Sequence, residues 1–178
     1  TDKDEEPNLP EAEGIYDVPG HPDLKLRVVI HHGKPAEKPA RPSLAPTPTL
    51  VCNIPDLSSN ATVPGAGWVM PANWTYRLNP SSVPSSVGGS NLTTITSNAF
   101  SPWDNAISGA VNITRGADTT IARASRDSQN IIAWGRTSGS ALATTYIWYN
   151  TSTTPYQTVE LDTIMNKKFS WAWSDPTT

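Results

Sequence analysis

The sequence predicts an α/β (α+β) fold: a mixed, twisted β-sheet with one main helix, preceded by an extended N-terminal arm. Three observations lead to this prediction. The chain has 178 residues, of which 37% are hydrophobic, so it can bury the core of one domain. Between residues 75 and 166, several β-type runs surround a single helical pattern. The first 41 residues hold 15 of the 29 charged side chains, which sets them apart in composition.

The arm comprises residues 1–49 and has the character of a propeptide-like or linker segment. It starts with acidic side chains, and Leu24–Ile30 then alternates and runs apolar, which predicts one strand near residues 24–32. A single strand is unstable alone, so we expect it to pair with another segment. Prolines recur every few residues from Pro35 to Pro48, which is typical of an extended polyproline-type linker. The domain boundary is placed near Leu50, with residues 50–178 forming the folded domain.

The folded domain begins with a predicted strand, Thr75–Asn79, and a predicted helix around residues 91–109. Pro102 lies inside the helical pattern and predicts a kink or a second start, with Ser101 as a candidate N-cap. Gly109 suits a C-terminal stop. Five apolar residues follow helical spacing and are expected to pack on the sheet: Ile95, Ala99, Trp103, Ala106 and Ala110.

Four further strands are predicted after the helix. Ala110–Thr114 alternates as a half-buried strand, and Asn130–Gly135 is an apolar run typical of a central strand covered on both faces. Leu142–Asn150 mixes small, hydroxylated and aromatic residues, which indicates an edge strand. An edge strand has unpaired backbone groups that an extended peptide can pair with, or that a loop or sugar can cover. Gln157–Asn166 completes the sheet.

Charge and hydropathy exclude some classes of partner. The net charge is −3 with no basic patch, which argues against nucleic acid, and no apolar run reaches the length of a membrane span. The chain starts without Met or a hydrophobic targeting segment, so we expect a mature or trimmed product. Five Asn-x-Ser/Thr sequences favour a secreted, extracellular glycoprotein, and Thr-rich β-structure without sugar is an equal alternative. The candidate acceptors are Asn60, Asn73, Asn91, Asn112 and Asn150.

Several short segments occur in an order that resembles a known family. These are Trp68, Trp74–Leu78, Ala99-Phe100 with Trp103, Leu142–Thr145, and Val159–Asn166 followed by Trp171. From residue 52 to residue 173, the chain resembles the N-terminal subdomain of a matrixin-type zinc metallopeptidase of the metzincin clan. The resemblance implies that Leu142, Ala143 and Thr144 lie on the strand that forms the upper rim of the cleft. There they would bind a peptide substrate through antiparallel main-chain bonds.

The zinc chemistry of that family has no counterpart in this sequence. A metzincin binds zinc through an H-E-x-x-H-x-x-G-x-x-H/D motif. The only histidines are His21, His31 and His32, all in the arm, and they are expected to be solvated or packing groups. Glu160 and Asp162 share one strand face and are expected to be solvated surface carboxylates. No catalytic residue and no metal ligand is assigned, and zinc is expected only if a missing C-terminal half is present.

Cys52 is the single cysteine of the chain. Residues 52–56 are similar to the Cys-Gly-Val-Pro-Asp core of the matrixin cysteine switch, in which a propeptide thiolate occupies the open zinc position. Leu50 and Val51 stand where the family has an arginine before the cysteine, and Asn53 replaces the glycine after it. Three roles stay open for Cys52: a disulfide to a missing half, a free thiol, or a switch.

Three functions are compatible with these patterns. The first is the N-terminal part of a secreted zinc endopeptidase that is inactive alone and is completed by a missing C-terminal half or second chain. The second is a structural protein that forms an extracellular oligomer or filament by donating Leu24–Ile30 to a neighbour's edge strand. The third and weakest is a carbohydrate-binding or adhesive module, because strand aromatics are usually core. Its candidate aromatics are Trp148, Tyr149, Trp171 and Trp173.

Overall fold

The computed structural model describes residues 9–32, 67–107, 109–137 and 139–174. The helix α1 spans Leu92–Ile107, and short 3₁₀ turns lie at Pro80–Ser82 and Gly89–Asn91. The strands in these ranges are β1 Gly14–Val18, β2 His21–His32, β3 Trp68–Val69, β4 Asn73–Leu78, β5 Asn112–Arg115, β6 Asn130–Gly135, β7 Ala141–Asn150 and β8 Tyr156–Asn166. The predicted strands of the folded domain are confirmed with shifts of a few residues at their ends, whereas β1 and β3 were not predicted.

The strands form one mixed sheet in the order β1-β2-β7-β8-β6-β4-β5, and β3 also pairs with β8. One half of the sheet is parallel, because β4 pairs parallel with both β5 and β6, and β6 pairs parallel with β8. The other half is antiparallel, through the β1/β2, β2/β7 and β7/β8 pairs. The predicted α+β class, a mixed sheet with one main helix, is therefore confirmed, and β8 joins the two halves.

The helix covers the parallel half of the sheet, but with a different face from the one predicted. Leu92 and Thr96 are buried, and the Phe100 ring lies 5.6 Å from Trp74 and 4.8 Å from Tyr76. The predicted stripe is wrong, since its central residue, Trp103, is 67% exposed. Phe100 packs on the rings of Trp74 and Tyr76, so its face of the helix turns inward. The helix runs through Pro102 without a second start.

The strand β6 is central and covered on both faces, as predicted. Ile131 and Ala133 pack with Ile164 of β8 on the face opposite the helix. Trp134 packs on the helix side, in the same cluster as Leu92. Alternate residues of β6 thus pack into two separate cores, which explains why the sequence of β6 is a continuous apolar run.

The arm strand β2 lies beside β7 in the sheet. The two strands are antiparallel from the Leu24–Asn150 pair to the His32–Ala141 pair. The strand predicted near residues 24–32 is confirmed, and so is its need for a partner. The prediction that β7 is an edge strand is wrong, because β2 covers one of its edges and β8 the other.

Side chains on one face of β2 bind the arm to the sheet. Leu26 and Val28 are 3% and 0% exposed, and they cluster with Tyr146 and Trp148 of β7. Backbone pairing and apolar burial therefore act on the same strand. The predicted boundary near Leu50 lies outside the described residues. In the described part of the chain, no helix is both long and apolar enough to cross a membrane.

Two adjacent valines of β2 test how the arm is held. Val28→Ala removes two methyl groups from a fully buried site, so it should lower the free energy of unfolding by about 2 kcal/mol and increase amide exchange across β1 and β2. Val29→Ala is the matched control, since Val29 lies on the other face and is only half-buried. Its effect should stay below about 1 kcal/mol. Equal effects in urea unfolding would contradict the assigned faces.

Candidate functional site

The outer edge of β7 is the part of the site predicted to bind substrate. Ala143 lies opposite His31, and Thr144 lies opposite Ile30. Leu142 falls at the irregularity between the His31 and His32 pairings. Ala143 and Thr144 are buried, and no hydrogen bond to the Thr144 hydroxyl is found within the described residues. The three predicted residues are therefore contiguous on a backbone edge, and the arm lies along that edge.

Side-chain and loop contacts hold both ends of β2 against this edge. At one end, the His31 imidazole Nε2 lies 3.0 Å from the Thr145 hydroxyl. At the other end, the Thr151 backbone N–H donates to the Asp23 carbonyl at 2.8 Å. The Arg126 guanidinium lies 2.8 Å from His21 Nε2 and links the arm to the loop that precedes β6. Because a guanidinium has only N–H donors, Arg126 donates this bond and His21 Nε2 accepts it.

A cavity of about 510 Å³ separates the arm from the loop before β6. Leu26 and Trp148 line it from the sheet, Tyr16 lines it from β1, and Arg126 lines it from the loop. This cavity needs both the arm and the loop, so undocking the arm would remove it.

Two buried carboxylates of β8 hold the loop before β6. Asp162 accepts hydrogen bonds from the backbone N–H groups of Ser125 at 3.1 Å and Ile131 at 3.0 Å. Glu160 accepts from the N–H groups of Asp127 at 2.9 Å and Ser128 at 2.8 Å. Backbone N–H groups without a strand partner need acceptors when they are buried. The two side chains therefore replace a strand as the partner of this loop.

The prediction that Glu160 and Asp162 are solvated surface groups is wrong, since each is 1% exposed. They do share a strand face, as predicted, but it is the face that the loop covers. The two-residue spacing in β8 indicated that Glu160 and Asp162 share a face, but it did not indicate that a loop covers this face. The signal that could have revealed their role is the polar stretch before β6, which lacks a strand pattern and has many backbone donors.

Burial also changes the titration of these acids. Burial raises the pKa of Asp162 to about 8. The hydrogen bonds from the backbone N–H groups of Ile131 and Ser125 act in the opposite direction and lower this pKa. The negative charges of Glu160 and Asp127 raise it further. Burial likewise raises the pKa of Glu160, while the N–H groups of Asp127 and Ser128 lower it. Desolvation is the largest cause in both cases, because water no longer stabilises the charged form.

A second cavity, of about 370 Å³, lies between the helix and the sheet on the opposite face. Phe100 and Trp103 line it from α1, and Ile132 and Leu161 line it from the sheet. Trp74 also lines it, and the buried indole N–H of Trp74 has no acceptor within the described residues. We call this cavity the helix-side groove.

The other predicted site residues are dispersed. Among the described residues, no group of three or more His, Cys, Asp or Glu side chains is arranged to hold a metal ion. His21, His31 and His32 are all exposed. Cys52 lies outside the described residues. Trp148 and Tyr149 are each 2% exposed, which confirms that these strand aromatics are core.

The candidate glycosylation sites differ in the environment of the acceptor amide. Asn73 and Asn112 are exposed on neighbouring strands, and the Asn112 amide donates to the Asn73 side-chain oxygen at 3.1 Å. The Asn91 amide donates to the Val87 carbonyl at 2.7 Å, so its nitrogen is already engaged. The Asn150 side-chain oxygen accepts from the Ser152 N–H at 2.7 Å. Asn60 lies outside the described residues.

Comparisons of the chain with protein-family models, with curated proteins and with solved structures each returned no match. The geometry itself defines the class of site. The site lies in an α+β domain, and it consists of one backbone edge of a central sheet strand that binds an extended segment. Buried aromatic side chains support that edge, and a loop held by two buried carboxylates lies beside it.

The raised pKa of Asp162 predicts a pH-dependent stability. The folded state binds the proton more tightly than the unfolded state, so the free energy of unfolding should fall by a few kcal/mol as the pH rises from about 4 to about 8. Urea unfolding across this range measures the effect, and Asp162→Asn should flatten the slope. Asp104→Asn, at an exposed helix position, is the control and should keep the wild-type slope. An unchanged slope in Asp162→Asn would contradict the assignment.

Proposed function

We propose that the chain is the N-terminal part of a secreted, zinc-dependent endopeptidase of matrixin type. In this proposal, β7 is the rim that pairs antiparallel with a peptide substrate, through the backbone of Leu142, Ala143 and Thr144. The chain is not active alone, because the residues that bind zinc belong to a missing C-terminal half or second chain.

One observation carries this proposal: the outer edge of β7 binds an extended strand in the antiparallel sense. Nine residue pairs connect β2 and β7, and Ala143 and Thr144 are among them. Main-chain pairing depends on backbone geometry more than on side-chain identity. An edge that holds β2 therefore has the geometry to hold a substrate segment in the same direction.

The open face beside the helix gives independent support. On β8 the even-numbered residues from 158 to 166 are buried, whereas Val159 is 51% exposed and Leu161 is half-buried. Trp103 of the helix is exposed next to the helix-side groove. A catalytic helix packed along this face would cover these apolar groups and place an acceptor within reach of the Trp74 indole N–H.

Zinc would supply the chemistry in the complete enzyme, by activating a bound water for attack on the peptide carbonyl. The present chain contributes no ligand in this proposal. Its role is to hold the substrate backbone extended and fixed in register, which lowers the entropic part of the barrier. The buried carboxylates Glu160 and Asp162 hold the loop and are assigned no part in hydrolysis, since their oxygens already accept loop N–H bonds.

The same pairing supports a second candidate function, assembly by strand donation. The arm strand that pairs with β7 within one chain could pair with β7 of a neighbour and build an oligomer or filament. Residues 33–66 tether β2 to the rest of the chain, so pairing within one chain does not depend on protein concentration, whereas pairing with a neighbour does. Donation to a neighbour therefore becomes more favourable as the protein concentration rises.

Expression of the chain together with the coding sequence that follows Thr178 tests the peptidase proposal. The extended protein should contain about one zinc per molecule and hydrolyse a denatured protein substrate, and a chelator should abolish both. The chain of residues 1–178 expressed alone is the control and should show neither property. An extended protein that binds no zinc and cleaves nothing would contradict the proposal.

A further inference from the structure

The side chains of β2 indicate which segments the β7 edge selects. One face of β2 presents Leu26 opposite Trp148, Val28 opposite Tyr146 and Ile30 opposite Thr144. Leu26 and Val28 are almost completely buried there. The edge thus combines backbone pairing with an aromatic surface that accepts side chains at every second position.

The opposite face of β2 makes a different set of contacts. Arg27 lies opposite Ile147 and reaches back to the Glu13 carboxylate of the arm at 3.4 Å. Lys25 forms an ion pair with Asp17 of β1. These charges are balanced within the arm itself, so they add little to its attachment to β7. Selection therefore rests on the apolar face.

We infer that the β7 edge binds extended peptides with apolar side chains at alternate positions, and that the arm hairpin β1–β2 is the resident competitor for it. This inference rests on the proposed role of β7 as a peptide-binding rim. The arm and a peptide need the same backbone groups and the same aromatic surface, so they exclude each other. The protein binds peptide only when the arm leaves the edge.

The connection through residues 33–66 sets the strength of this competition. While the connection is intact, the arm competes at an effective concentration that is independent of dilution. After a cut in the connection, the arm competes only at its free concentration. A cut therefore favours peptide over arm without changing any residue of the edge.

A labelled peptide and a cleavable chain test the inference. The full chain carries a recognition sequence for a site-specific protease within residues 33–66. The probe is a fluorescent peptide of residues 24–30, and the matched control peptide carries Leu26→Gln and Val28→Thr, which keep its charge. We expect the probe to bind the cut protein at least tenfold more tightly than the intact protein, and the control to bind at least tenfold more weakly than the probe.

Each other result overturns the inference. Equal probe affinity for intact and cut protein would mean that the arm does not compete, and equal affinity of probe and control would mean that alternate apolar side chains are not selected. Failure of a hundredfold excess of probe to displace the cut arm would exclude exchange at this edge. Dimers of the intact chain, joined by exchange of the arm, would overturn the assignment of the chain's own arm as the competitor. All these readouts are independent of zinc and hydrolysis, so they are separate from the test of the peptidase proposal.

Discussion

The pairing of both edges of β7 is the constraint on which the structure depends. A strand inside a sheet has N–H and C=O groups along two edges, and burial of these groups without partners is costly. β8 pairs with one edge over most of the strand, and β2 pairs with the other. Tyr146 and Trp148 are buried, so this strand cannot be left open to water on its outer side without exposing its aromatic face.

The strand β8 connects the paired strand β7 to the rest of the domain. It joins the antiparallel half to the parallel half, and its inward carboxylates order the loop that closes one face. Two desolvated acids are a costly way to hold a loop, because burial opposes their ionisation. They are tolerated because they satisfy four backbone donors, three in the loop and one, the Ile131 N–H, at the start of β6. The fold thereby places a polar, pH-sensitive layer next to the arm.

The sequence predicted local structure well and long-range partners poorly. Asn130–Gly135 was predicted with the bounds of β6, because its apolar run depends only on its own burial. The edge status of β7 was wrong, because its partner β2 lies more than one hundred residues earlier in the chain, and periodicity carries no information about such pairing. The helix face was wrong because the stripe predicted from spacing contained Trp103 and left out Phe100, whereas packing on Trp74 and Tyr76 selected Phe100.

The functional account rests on the arm pairing with β7 of its own chain. Nuclear magnetic resonance of the full chain tests this directly, with isotope-labelled and unlabelled molecules mixed in one sample. Through-space contacts between Val28 and Tyr146 should appear within labelled molecules and be absent between labelled and unlabelled ones. Contacts found only between different molecules, or no contacts between these two residues, would contradict the account.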